Sequence, residues 1–265
     1  MAFSNDALGL REFLAALCCG LVCGCAIPII GATGHRAQHG EREHGEHGVA
    51  RGSGPERRMR AGVALSGPLA VQGFARGGDA CYSALQAEGV AFERVPEREA
   101  MGVDTPARLL GPLRGVEVVA RGRGTTHAIL DCRLALALLS WAPALTQAGV
   151  ARVEHYSIYR PGARTPRKSQ TSGHARGLAI DAARFHLRNG EVLDVLTDWE
   201  DRDRGGAPCP QRPDESWSSR VLRGVVCDAV ESNLFQVVLT PHHDRAHENH
   251  VHLEIRPDVD WTYVR

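Results

Sequence analysis

Two short stretches of this 265-residue chain hold side chains that could do chemistry together. Ser172–Asp181 reads SGHARGLAID and sets an imidazole, His174, seven positions before a carboxylate, Asp181. About seventy residues further on, His247–Glu254 reads HENHVHLE. Zinc takes imidazole nitrogen and carboxylate oxygen as ligands, and a catalytic site keeps one coordination position open beside three protein ligands. His174, Asp181 and His252 supply such a set. His250 lies two residues before His252, so a strand puts both on one face. There it is placed to take a proton from a water within hydrogen-bond distance. The chain has 13 histidines, so a His-x-His pair alone says little. A His-x6-Asp element on a second predicted strand makes the metal reading the stronger one.

These side chains need elements to hold them. Leu178, Ala179 and Ile180, bounded by Gly177, read as a short buried strand ending on Asp181. A buried carboxylate without a partner is costly, and a metal shared with His174 supplies one. From His250 to Ile255 polar and apolar residues alternate, which predicts a strand with His250, His252 and Glu254 on one face. Val153–Tyr159 is a further strand, followed by Arg160 and a Pro161-Gly162 turn. Helices are predicted over Ala80–Glu88, Cys132–Ala148 and Ser216–Glu231; in the second, Leu134, Leu138, Trp141 and Leu145 form one apolar face. Val116–Ala120 and Leu234–Leu239 read as strands, and Asn189-Gly190 between two short runs predicts a type I′ hairpin. His242, His243 and Asp244 read as a solvated turn, and Thr165–Gln170 as a mobile loop at the mouth of the site. The expected fold is α+β: a single compact domain with a small central antiparallel sheet flanked by helices, carrying a zinc site.

Composition divides the chain. Phe13–Ile30 is apolar and uncharged and suits the apolar region of a secretory leader over 1–32. Leu21–Cys25 is similar to a bacterial lipobox, with Cys25 as the lipidated residue; an uncleaved anchor is the alternative. Residues 33–75 are rich in His, Gly, Arg and Glu and read as a solvated linker. The domain is expected over 76–256 and a tail over 257–265. With 31 basic and 31 acidic side chains the net charge is zero, which offers no surface for nucleic acid; membrane contact is expected only through the leader or its lipid. Four cysteines lie in the domain, and behind an export-like leader they are expected to pair. Of three possible pairings, Cys81–Cys132 with Cys209–Cys227 is favoured; buried free thiols are the alternative.

SGHARGLAID resembles the Ser-x-His-x-x-Gly-x-Ala-x-Asp signature of D-Ala-D-Ala zinc peptidases. HENHVH is similar to the His-x-x-His-x-His signature of penicillin-insensitive murein endopeptidases. The stretch from Cys81 to Ile255 looks most like the bacterial extensin-like C-terminal domain, which combines both. The resemblance implies a zinc-dependent peptidase, exported to the bacterial cell envelope, acting on peptidoglycan stem peptides or cross-links; a monomer is expected. It implies zinc on His174, Asp181 and His252, His250 as base, and His247 assisting. Glu248 is a candidate for orienting a histidine. The dipeptidase branch carries a glutamate where this chain has Asn249, so the endopeptidase-like branch fits better. In these peptidases a Tyr-Arg pair ahead of the histidine motif puts an arginine in the active site, here Arg160, whose planar fork suits a carboxylate or an oxyanion. A surface arginine beside a turn is the plainer reading of the same residue. The alternative from another class is a wall-binding or scaffold module that keeps fold and metal without turnover, since fold alone does not fix function.

Overall fold

The computed structural model describes residues 77–122, 124, 126–165, 170–200, 204, 206–210 and 214–265. The leader, the linker, Cys25 and the tip of the 165–170 loop lie outside the described residues. At the centre stands β6 (Ala179–Leu187), nine residues long and almost wholly buried. Ala179 and Ile180, read as a short strand ending on Asp181, and Phe185–Leu187, the run before Asn189-Gly190, are thus parts of one strand, not two. Along one edge β6 pairs antiparallel with β5 (Val150–His155). Its other edge is shared: β9 (Val251–Glu254) pairs with Ala179–Ala182, and β7 (Val192–Asp194) with Arg184–His186. Beyond β9 come β8 (Val237–Leu239) and then β10 (Tyr263–Val264), parallel to β8; beyond β5 lies β3 (Glu117–Ala120), parallel to β5. The sheet is therefore seven-stranded and mixed, not small and antiparallel. Its two parallel pairings join distant segments, which alternation within a strand cannot reveal. The last residues, read as a tail, supply β10. A separate antiparallel sheet joins β1 (Phe92–Arg94), β2 (Pro106–Leu109) and β4 (Leu130–Asp131).

Helices α1 (Asp79–Ala87), α2 (Cys132–Gln147), α3 (Val195–Asp198) and α4 (Trp217–Glu231) complete this α+β fold. Asp131 caps α2 by accepting from the Arg133 backbone N–H at 3.0 Å, and Ser216 caps α4 through Ser219 N–H. The apolar face predicted for α2 is the buried one: Trp141 packs edge-on to Phe185 of β6 and Phe235, and donates from Nε1 to the Val225 carbonyl of α4 at 2.7 Å. Sheet and two helices thus meet on one side chain. The favoured disulfides are the ones formed: Cys81–Cys132 ties α1 to the start of α2, and Cys209–Cys227 ties a loop to α4. Among the described residues no helix is long and apolar enough to cross a membrane.

Three local expectations change. The hairpin after β6 is not type I′, because that turn needs positive φ at both central residues and only Gly190 (φ 94°) has it. Gly190 N–H bonds back to Leu187 O, and Leu187 N–H to Glu191 O, which closes a three-residue loop of the glycine-bulge kind. The strand predicted over Val153–Tyr159 lies earlier, because the β5–β6 register shifts at Glu154/His155. Past that bulge, Tyr156 N–H still bonds to Asp181 O, and Asp181 N–H to Ser157 O. His242 is not solvated: it is 1% exposed and stands edge-on to Trp199.

Candidate metal centre

Register, a capped turn and a bulge bring the site together. Asp181 of β6 and His252 of β9 are directly opposed in the antiparallel ladder. His174 arrives on a single 3-10 turn, Gly173–Arg176. Ser172 caps it by accepting from His174 N–H at 3.3 Å, and Gly177 ends it in the left-handed region at φ 64°. An added Cβ on Gly177 would stand 2.8 Å from the Asp131 backbone nitrogen, so glycine is required there for space as well.

The three donor atoms face one another. His174 Nε2 lies 3.0 Å from Asp181 Oδ1 and 3.1 Å from His252 Nδ1, and His252 Nδ1 lies 3.0 Å from Asp181 Oδ1. Ligands at 2.0–2.1 Å from a tetrahedral zinc stand about 3.3 Å apart, so the triangle is close to that size. Tautomers sharpen the point. His174 Nδ1 faces the Ile158 carbonyl at 2.8 Å, an acceptor only, so it carries the proton and Nε2 keeps its lone pair. His252 Nε2 faces Glu254 Oε2 at 3.2 Å, so the same logic leaves the lone pair on Nδ1. Three lone-pair atoms in such a triangle repel one another unless a cation lies among them. Either a proton or a metal ion can meet that demand, and a ring N–H held by a carboxylate or carbonyl is the usual companion of a metal-bound histidine.

The electrostatics agree. Burial opposes charge on His252, but hydrogen bonds to Asp181 and Glu254 outweigh it and push its pKa up to about 9. Burial would likewise raise Asp181, yet the bonds to His174 and His252 hold its carboxyl well below the usual range. Ser157 Oγ donates to the other Asp181 oxygen at 3.0 Å. The buried pocket is built to hold positive charge.

Around the triangle stand the other residues singled out on sequence. His250 Nε2 is 3.4 Å from Asp181 Oδ1, and its Nδ1 faces Asn249 Oδ1 at 2.8 Å. Burial is the main reason its pKa falls to about 4, so at neutral pH it is uncharged. The His247 ring is 5.1 Å from that of His250 and 6.1 Å from that of His252. Arg160 is half-exposed at the rim, its Nη2 3.7 Å from Asp181 Oδ2. All six candidates thus gather in one place. The carboxylate on His252 is Glu254, and Glu248, the sequence candidate for orienting a histidine, ends the turn that carries His247. Alternation along β9 had already put Glu254 on the right face. Ser157 and the Ile158 carbonyl carried no such signal, because the bulge in β5 delivers them.

No curated protein and no solved structure matches the chain. Residues 79–265, more than half of the sequence, match the family model described as Extensin-like protein C-terminus, and the chain belongs to that family.

Proposed function

We propose that the domain is a zinc-dependent peptidase of the bacterial cell envelope that cleaves peptidoglycan stem peptides or their cross-links. The observation that carries the reading is the triangle of His174, Asp181 and His252, whose lone pairs converge within 3.0–3.1 Å while their other polar atoms are satisfied. Bound there, zinc supplies Lewis acidity, which acidifies a water and polarises a carbonyl oxygen. His250 accepts the water's proton through Nε2, since its Nδ1 is engaged by Asn249. His247, pinned by Asp244 at 2.6 Å, stands with its ring 5.1 Å from that of His250 and assists it. Arg160 offers its guanidinium to a substrate carboxylate or to the charge that develops on the carbonyl oxygen. The full set of a base beside three ligands favours turnover over a wall-binding module, which has no use for His250.

The test separates ligand from base. His174→Ala, Asp181→Ala and His252→Ala are each expected to lose zinc and activity together. His250→Ala keeps all three ligands, so zinc stays while turnover falls about 10²–10⁴-fold, the usual worth of a positioned base. Zinc is measured by elemental analysis, and cleavage by mass spectrometry of muropeptides from digested sacculi. Zinc bound by the wild type without cleavage of any muropeptide or model peptide overturns the peptidase reading in favour of the wall-binding module.

A further inference from the structure

We propose that His243, Asp244 and His247 form a second divalent-metal site on the rim of the first. One donor atom from each lies within 4.8 Å of the others. The Asp244 carboxylate bridges the two imidazoles, Oδ1 standing 2.6 Å from His247 Nδ1 and Oδ2 3.5 Å from His243 Nε2. The two rings are 5.1 Å apart.

The backbone holds this arrangement in place. His243 N–H bonds to Thr240 O at 2.9 Å, and Asp244 Oδ1 accepts from His247 N–H at 3.2 Å to cap the turn. Beneath it, His242 is buried against Trp199, so the turn sits on the core. Tyr263 stands edge-on to His243 at 6.3 Å. The side chains are 29%, 46% and 17% exposed, so an ion can reach them from solvent, unlike the buried triangle.

Two imidazoles and a carboxylate select zinc, nickel, copper or cobalt over magnesium and calcium, which want oxygen alone. Arg265, whose charge acts on His243, and Arg245 on the same turn oppose a cation. Binding here is therefore weaker than at the triangle. Nothing in this assignment requires the peptidase reading, because it concerns occupancy alone.

The experiment uses the full-length, disulfide-bonded chain without an affinity tag, stripped with chelator and equilibrated with buffered free zinc. Zinc per chain is read by elemental analysis and, in parallel, by cobalt absorption spectra. His243→Ala is expected to hold one equivalent fewer than the wild type. Asp244→Asn, which keeps the cap because asparagine caps as well as aspartate, should show the same loss. Asp181→Ala removes a different equivalent, and Asp181→Ala with His243→Ala removes two. The linker histidines are common to every variant and cancel in the difference. His243→Ala and Asp244→Asn holding as much zinc as the wild type overturns the second site and leaves the triangle intact. Asp181→Ala holding as much as the wild type, while His243→Ala loses one, sinks the triangle and leaves the second site standing.

Discussion

Gly173→Ala tests whether the carboxylate behind His252 matters. An added Cβ would stand 2.5 Å from Glu254 Cδ and 2.8 Å from both its Cγ and Oε2, where carbon atoms need about 3.5–4.0 Å. Glu254 cannot simply swing aside. It is 4% exposed and held by His252 at 3.2 Å and Arg256 at 2.9 Å. Crowding of this kind costs about 1–3 kcal/mol of folding stability. If the carboxylate yields, His252 loses the acceptor that fixes its ring, which is worth about 10–100-fold in metal affinity. That is about 1.4–2.7 kcal/mol. The two effects separate by assay: denaturant unfolding in excess chelator reads only the crowding, and zinc titration against a competing chelator reads the affinity. Pairing Gly173→Ala with Glu254→Asp removes a methylene from the clash, so the unfolding midpoint should recover while the affinity does not. Wild-type affinity and an unchanged midpoint in Gly173→Ala would refute the reasoning.

Two further outcomes follow from buried groups outside the triangle. His155 is fully buried with no hydrogen-bond partner among the described residues on either ring nitrogen, and burial is the main cause holding its pKa at about 4. An unfolded histidine titrates near 6.5, so between about 4 and 6.5 the unfolded chain binds the extra proton, and stability rises with pH across that window. His155→Leu should remove its share, on the order of 3 kcal/mol, from unfolding free energies measured in chelator at a series of pH values. An undiminished slope counts against it. The disulfides close loops with sequence separations of 51 and 18 residues. Chain entropy makes Cys81–Cys132 worth about 4 kcal/mol and Cys209–Cys227 about 3 kcal/mol. Denaturant midpoints of the two double-serine variants that rank the other way would refute the loop-entropy account.

What sequence made legible was what local spacing encodes. Helix α2 follows from its 3- and 4-residue apolar steps, and the face containing His250, His252 and Glu254 from period two. The pairings β3 with β5 and β10 with β8 were hidden because each joins short, partly exposed segments across long separations, so the sheet looked smaller than it is. His242 was misjudged because a turn of polar residues gives no sign that one imidazole points inward onto Trp199. Ser157 was missed because the bulge at Glu154/His155, not any motif, aims it at Asp181.

The site's dependence on register explains why two remote motifs had to be read together. Asp181 and His252 are cross-strand partners, so a one-residue slip of β9 would replace the imidazole at the triangle with Val251 or Leu253 and turn His252 into the core. The alternation that buries Val251, Leu253 and Ile255 forbids that slip, since all three are fully buried in the correct register. The same alternation puts Glu254 two residues from His252 on the same face, so one strand delivers both the imidazole and the carboxylate it faces. His174 has no such ladder. Its position depends on Ser172, on Gly177 and on the Asp131 N–H bond to the Gly177 carbonyl at 2.9 Å, so the capped turn does for His174 what hydrophobic register does for Asp181 and His252.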